Sequence, residues 1–140
     1  MKSFKYLFLF AFSFTISITS CSKKDEATIS KSQLELLTSH QWKYSSQKLN
    51  GAAHALLDCE KDDHFSYSAD GIYTYNPGLV ICDFESIGTS PFSLSYDMKT
   101  IIHTYGYSEQ RETIVELTAN KLVTSSTGGE GAWEETYIPY

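Results

Sequence analysis

The chain has 140 residues, of which 41% are hydrophobic and 14% aromatic, and its 17 acidic residues outnumber 11 basic ones, for a formal net charge of −6. This length suits one domain with its own core but leaves too little chain for two. Nucleic acids and anionic lipid surfaces are bound through basic patches, so the acidic balance argues against both as partners.

The first 20 residues have the parts of a secretory signal peptide. Lys2 and Lys5 form a short positive segment, and an almost wholly apolar run follows over residues 6–18. That run is shorter than the about 20 apolar residues that span a bilayer, but it is typical of the apolar part of a signal peptide. The next letters, "ITSC" at residues 18–21, resemble the lipobox of bacterial lipoproteins. In that family a peptidase cuts before the cysteine, and the sulfur receives a diacylglycerol.

The resemblance implies that residues 1–20 are removed and that Cys21 anchors the mature protein to a membrane through its lipid. The alternative is an ordinary signal peptide that happens to be followed by a cysteine. Residues 21–28 are polar enough to form a flexible tether. Within them, the lysines and acids of residues 22–26 resemble the signal that exports some Bacteroidetes lipoproteins. We therefore expect an outer-membrane protein, facing either the cell surface or the periplasm.

The predicted domain covers residues 29–140 and opens with its only helix, over residues 29–37. Ser30 is placed to cap this helix, and Gln33 follows three residues later, as in a capping box. Leu34 and Leu37 share one helical face and should pack on the domain.

From residue 41 onward, short alternating segments are separated by turn residues, which is typical of β-strands joined in hairpins. Asn50-Gly51 and Asp70-Gly71 are the dipeptides that tight hairpin turns favour. Residues 52–57 fit either a short helical turn or a loop, whereas residues 79–86 and 90–97 alternate like strands. The pattern predicts an all-β, antiparallel up-and-down meander of eight to nine strands. Closure into a small barrel would remove its exposed edges.

Several ordered blocks of sequence carry a family resemblance. They are "LLTSHQW" at residues 36–42, "CEKDDHFSYSADGIYTY" at 59–75 and "IVELTANKLV" at 114–123. Together they resemble the lipocalin-like domain of small Bacteroidetes lipoproteins, over about residues 33–140. Lipocalins favour a glycine shortly before the tryptophan of the first strand, and none precedes Trp42 here. The resemblance implies a small β-barrel that can bind a ligand, and it implies no catalytic residues.

Two cysteines remain once Cys21 is lipidated. An even pair in an oxidising compartment predicts a disulfide between Cys59 and Cys82. The alternative is a metal site that adds His54, His64 and Asp62 or Asp63 to Cys59. Zinc sites usually contain closely spaced ligand pairs, which this segment lacks, so we favour the disulfide and predict no metal site.

The acidic run "DCEKDD" at residues 58–63 could supply oxygen ligands to calcium. It lacks the glycine-punctuated order of a calcium loop, which favours a solvated loop. The histidines, among them His103, form no recognisable catalytic motif, and Glu112 and Glu116 lie on one predicted strand where they could face a cavity or solvent. We therefore predict neither catalytic residues, nor enzymatic activity, nor a cofactor.

Aromatic residues fall on most of the predicted strands. Tyrosine offers an apolar ring and a polar tip, which suits a ligand pocket, but an eight-stranded barrel is also just wide enough to be filled by side chains. Two functions follow: a module that binds a small apolar or amphipathic ligand, or a protein-interaction module with a filled barrel and functional loops at residues 58–63 or 128–131. The protein partner of the second is unknown. The candidate ligand-binding residues are Trp42, Tyr67, Tyr75, Phe84, Tyr96 and Tyr105.

Overall fold

The computed structural model describes residues 32–82 and 86–140. It contains one α-helix, α1 (Gln33–Leu37), and nine strands. The strands are β1 (Gln41–Leu49), β2 (Ala52–His54), β3 (His64–Tyr67), β4 (Ile72–Asn76), β5 (Gly88–Leu94), β6 (Thr100–Tyr105), β7 (Ser108–Thr118), β8 (Lys121–Gly128) and β9 (Gly131–Pro139). No helix in the described part of the chain is long and apolar enough to cross a membrane. The proposed signal peptide, Cys21 and the tether lie outside the described residues.

The strands form one antiparallel sheet whose neighbours follow one another along the chain from β3 to β9. Strand β1 pairs with β3 on one edge and with β9 on the other, so eight strands close into a barrel. The ninth, β2, pairs with the end of β1 through a tight turn in which Asn50 has φ +52° and Gly51 has φ +81°. The predicted all-β meander and its closure into a barrel are confirmed.

Helix α1 is shorter than predicted and begins at a different cap. The Ser32 hydroxyl accepts a hydrogen bond from the Glu35 amide at 3.2 Å, and the Glu35 carboxylate accepts one from the Ser32 amide at 2.6 Å. The capping box is therefore Ser32 with Glu35, and the predicted pair of Ser30 with Gln33 is wrong. A carboxylate three residues after the serine is the stronger acceptor for the free amide at the cap.

One end of the barrel is closed by apolar side chains under this helix. Trp42 and Leu37 are fully buried, and the Trp42 indole N–H donates a hydrogen bond to the Leu37 carbonyl at 2.9 Å. Trp42 therefore closes this end although no glycine precedes it. The other buried members of this core are Phe65, Tyr67, Phe92, Ile101, Leu122 and Tyr137.

Three strand predictions need correction. Residues 52–54 form strand β2 rather than a helical turn or loop. Residues 79–82 are not a strand, because the amides of Leu79 and Val80 donate to the Asp62 carboxylate, at 2.7 and 3.2 Å, instead of to a neighbouring strand. Strand β5 begins at Gly88 and ends at Leu94, so the strand predicted over residues 90–97 starts and ends too late in the chain.

Two β-bulges change which side chains face the interior. The pairing register shifts between Tyr44 and Ser46 in β1, and between Ile114 and Glu116 in β7. A bulge adds one residue to a strand, so the alternation of inward and outward side chains reverses beyond it. In β7 the reversal leaves Glu112 facing inward, whereas Glu116 faces outward and pairs with Lys121 at 2.7 Å.

Candidate ligand-binding site

The half of the barrel away from α1 contains a cavity of about 180 Å³. It lies between the inner faces of six strands, on the N-terminal side of Tyr137 in β9, whereas Trp42 lies opposite Pro139 at the closed end. The residues that line it are Tyr44, Phe65, Tyr67, Tyr73, His103, Tyr105, Gln110, Glu112, Glu135 and Tyr137. Most of these side chains carry a hydroxyl, carboxyl, amide or imidazole group, so the open half of the barrel is polar where the closed half is apolar.

Glu112 is the most perturbed carboxyl group of the cavity. Its side chain is only 13% exposed, and its Oε1 accepts a hydrogen bond from the side-chain amide of Gln110, Nε2, at 3.3 Å. Burial, together with the nearby charge of Glu135, raises the pKa of Glu112 to about 7, while the nearby Thr124 hydroxyl opposes the change. Near neutral pH the neutral and the charged forms of the Glu112 carboxyl are therefore both populated.

Glu135 is the second carboxyl group in the cavity wall. Burial raises its pKa, while hydrogen bonds from the hydroxyls of Tyr137 and Tyr44 oppose that rise. The Tyr137 hydroxyl lies 2.9 Å from Glu135 Oε2. These donors hold the carboxylate oxygens in place without neutralising their charge.

His103 lies on the same wall and is 2% exposed. Its Nε2 is 3.3 Å from the Tyr67 hydroxyl and 3.7 Å from Glu112 Oε1. Burial lowers the pKa of His103 to about 4, so the imidazole is neutral at pH 7 and the contact with Glu112 is not an ion pair. Its Nδ1 is buried and has no hydrogen-bond partner among the described residues.

Tyrosine rings surround these polar groups. Tyr73 meets the His103 ring edge to face at 4.7 Å between centroids, Tyr105 stacks on it at 6.1 Å, and Tyr44 packs against Tyr137 at 4.9 Å. Burial raises the pKa values of Tyr44, Tyr73 and Tyr137 above the ordinary value, so their hydroxyls remain protonated donors.

A second, more open cavity of about 330 Å³ adjoins the first and shares Tyr73 and Tyr105 with it. Its remaining wall comes from Tyr75 in β4 and from Gly88, Thr89 and Ser90 in β5. The Ser90 hydroxyl is buried and has no hydrogen-bond partner in the described part of the chain. The two cavities together leave room for a ligand to extend from the interior toward the rim.

The structure places the six candidate ligand-binding residues in different surroundings. Tyr67 and Tyr105 line the first cavity, and Tyr75 lines the second. Trp42 is instead fully buried at the closed end, and Tyr96 is fully exposed in the turn after β5, because that strand ends two residues earlier. Phe84 lies outside the described residues.

Several cavity residues are not among the six candidates, namely Tyr44, Phe65, Tyr73, His103, Gln110, Glu135 and Tyr137, and for Glu112 the sequence left a cavity-facing and a solvent-facing position open. A signal for part of the set was present, because Tyr73 and Tyr75 are two residues apart and share a face, as do His103 and Tyr105. Choosing the inward face for Glu112 required the position of the bulge in β7.

The acidic loop before β3 has structural roles. Asp58 pairs with Lys61 at 2.6 Å, and Asp63, which is 2% exposed, accepts a hydrogen bond from the Tyr75 hydroxyl at 2.6 Å. The Asp62 carboxylate binds backbone amides of the segment after β4, and these hydrogen bonds, of which the one from Leu79 has the largest effect, lower its pKa. Within residues 32–82 and 86–140, no three acidic, histidine or cysteine side chains are grouped as metal ligands.

The same loop is joined covalently to the segment after β4. Cys59 and Cys82 form a disulfide with 5.3 Å between their Cα atoms, as the even cysteine count predicts. The histidines of the alternative metal site have other contacts: His54 packs edge to face on Trp133, and His64 stacks on Tyr140.

Comparisons with known proteins agree with this architecture. A family model described as a lipocalin-like domain matches residues 38–124. Among solved structures, a lipocalin-like protein from Bacteroides uniformis superposes with a TM-score of 0.50 at 10% sequence identity, over 75% of this chain and 99% of that one. At that identity the likeness concerns the fold alone. No curated protein matches the chain. Since the family model covers more than half of the sequence, the chain belongs to the family of proteins with a lipocalin-like domain.

Proposed function

We propose that this chain is a lipid-anchored, extracytoplasmic protein that binds a small amphipathic ligand in the open half of its barrel. The observation that carries the binding function is the cavity of about 180 Å³ with polar groups between tyrosine rings. A wholly apolar ligand would leave polar groups of the cavity wall, such as the Glu112 carboxyl, without further hydrogen-bond partners, at a cost of about 1–3 kcal/mol for each unsatisfied group. An amphipathic ligand places its polar group there and its apolar part against the rings.

The volume limits the size of this ligand. A cavity of about 150 Å³ holds a benzene-sized molecule, so the inner cavity accommodates about one ring with a short substituent. A longer ligand would continue past Tyr73 and Tyr105 into the adjoining cavity.

Gln110 offers a way to test binding with little risk to the fold. It is exposed and lines the inner cavity, so Gln110→Trp should obstruct the mouth without filling the core. We expect single-ring amphipathic probes such as 2-phenylethanol to bind the native protein in calorimetry and to lose at least tenfold in affinity with Gln110→Trp, a change of about 1.4 kcal/mol. Val115→Trp, on an outward-facing and 56% exposed position of the same strand, is the matched control. Equal binding by both variants would contradict a ligand site in the barrel.

The lipid anchor is a separate part of the proposal, and it rests on the signal-like residues 1–20 and on Cys21. Several acyl chains on one residue would bind a membrane stably, because each buried methylene contributes about 0.8 kcal/mol. Cells given labelled palmitate should label the native protein in the outer-membrane fraction and leave Cys21→Ser unlabelled. Protease treatment of intact cells would then distinguish the cell surface from the periplasmic face. Label retained by Cys21→Ser would contradict the anchor.

A protein-interaction module is the second candidate function. One observation favours it: Leu79, Val80, Ile81 and Ile87 are apolar and 95%, 53%, 59% and 70% exposed around the segment that follows β4. Such exposed apolar side chains are typical of contact surfaces. Replacing Leu79 and Ile87 by serine should abolish partner crosslinking in this case and leave 2-phenylethanol binding unchanged.

A further inference from the structure

Among the described residues, Glu112 and Glu135 lack the Lys or Arg partner that the other glutamates of the strands have. On the outer face, Glu134 pairs with Lys48 at 2.6 Å and Glu109 with Arg111 at 2.8 Å. Neither Lys nor Arg is among the described residues that line the inner cavity. The imidazole beside Glu112 is neutral at pH 7, so none of the described residues that line the cavity supplies a cation to balance the two carboxylates when they ionise.

Charges buried without a partner are costly, and they are usually paired, neutralised by a proton or bound to a cation. The cavity supplies the rest of a cation site. Tyrosine rings attract an organic cation through their electron-rich faces, with an energy of about 0.5–2 kcal/mol for each good contact. Five of the lining residues are tyrosines: Tyr44, Tyr67, Tyr73, Tyr105 and Tyr137.

A second feature of the cavity wall concerns the His103 imidazole. His103 is 98% buried, as its exposure of 2% implies, and its Nδ1 has no partner among the described atoms. When Nε2 carries the proton and faces Glu112 and Tyr67, Nδ1 is an acceptor. His103, which lines the cavity, then carries an acceptor in addition to the two carboxylates.

We propose that the cavity binds a small organic cation, a protonated amine on one ring-sized apolar body, with its ammonium group held by Glu112 and Glu135. The apolar body lies against Tyr73 and Tyr105 toward the adjoining cavity. This inference rests on the proposed ligand-binding function and names the chemical class of its ligand. Anions are disfavoured by the same two carboxylates.

Amine binding should depend on pH. Glu112 must be ionised to pair with an ammonium group, and burial has raised its pKa to about 7. Amine affinity should therefore rise between pH 6 and pH 8. Below the pKa of Glu112 the rise is up to about tenfold for each pH unit.

The polar and titratable groups around Glu112 are His103 and Tyr105 on β6, Thr124 on β8, Glu135 and Tyr137 on β9, Tyr44 on β1, Tyr67 on β3, Tyr73 on β4 and Gln110 on β7. Of these, the pKa of Glu135 is raised in the same direction, while the lowered pKa of His103 and the raised pKa values of Tyr44, Tyr67, Tyr73 and Tyr137 leave these groups neutral over this range.

The test compares three probes of one shape by calorimetry in phosphate buffer, since Tris is itself an amine. The probes are 2-phenylethylamine, which is cationic, 2-phenylethanol, which is neutral, and 3-phenylpropanoate, which is anionic. At pH 8 and constant ionic strength, the native protein should bind the amine at least tenfold more tightly than the alcohol, and the anion least. The preference for the amine should shrink at pH 6, a readout that needs no variant.

Matched variants locate the effect. Glu112→Gln and Glu135→Gln should each lower amine affinity at least fivefold more than they change alcohol affinity. Glu116→Gln on β7 and Glu134→Gln on β9 remove outward-facing carboxylates from the same two strands and should change neither. Equal affinity of the native protein for amine and alcohol would overturn the cation proposal and leave the ligand cavity standing. Binding of none of the three would contradict the ligand cavity for ring-sized molecules and the cation proposal with it.

Discussion

The two ends of the barrel are built from the same strands but have opposite interiors. At the closed end, Trp42 and Leu37 are fully buried and joined by a hydrogen bond. At the open end, Glu112 and Glu135 project into a cavity among tyrosine rings. Packing apolar side chains stabilises the fold, whereas burying carboxylates opposes it. The comparison indicates that stability resides mainly at one end of this barrel and ligand chemistry at the other.

Truncating the closed end should give the largest loss of stability. Trp42→Ala removes a fully buried ring and its hydrogen bond to the Leu37 carbonyl, and we expect a loss of about 3–5 kcal/mol in the free energy of unfolding. Urea denaturation followed by circular dichroism measures it. Tyr107→Ala removes a fully exposed ring and should change stability by no more than about 0.5 kcal/mol. Similar losses for the two variants would contradict a closed end held by packing.

The disulfide should contribute the next largest effect. Cys59 and Cys82 are 23 residues apart, and closing a loop of that length stabilises a protein by roughly 3 kcal/mol on the loop-entropy model. Adding a reductant should lower the urea midpoint of the native protein to that of the double variant Cys59→Ser, Cys82→Ser. The double variant should not respond to the reductant. An unchanged midpoint on reduction would show that the bridge adds nothing to stability.

At the open end, a substitution should stabilise the protein in a pH-dependent way. The pKa of Glu112 rises on folding from 4.5 to about 7, so its contribution to stability is favourable at low pH and is lost as pH rises through this range. The loss is at most about 3 kcal/mol. Glu112→Gln should therefore gain stability relative to the native protein between pH 5 and pH 8. Thermal melting of both proteins across this range measures the difference, and Glu116→Gln should show no such trend. If the melting temperatures of the native protein and Glu112→Gln changed with pH in the same way, the raised pKa of Glu112 would be contradicted.

The fold was largely predictable because its signals are local. Alternating side chains between turn dipeptides such as Asn50-Gly51 identified most strands and their antiparallel order. The failures were long-range: residues 79–82 alternate like a strand, but the Asp62 carboxylate binds the amides at Leu79 and Val80. No pattern within that segment reports an acceptor 17 residues earlier in the chain.

The candidate site was less predictable, for a geometric reason. Alternation says which residues of a strand share a face, but it does not say which face lies inside a barrel, and one bulge reverses the answer. Glu112 and Glu116 are four residues apart, so regular alternation would place them on the same face. The bulge between them leaves only Glu112 lining the cavity. Tyr67, Tyr75 and Tyr105 line the two cavities, whereas Tyr96 lies outside them because β5 ends at Leu94, before the predicted end of its strand.

The most direct test of the division between the two ends is to map where a ligand acts. Backbone amide NMR spectra of the protein, recorded while 2-phenylethylamine is added at pH 8, report contact residue by residue. We predict shifts centred on His103, Glu112 and Glu135 and their neighbours, with little change at Leu37 and Trp42. Shifts centred on the closed end or on the outer face of the barrel, or no shifts at saturating amine, would contradict the account.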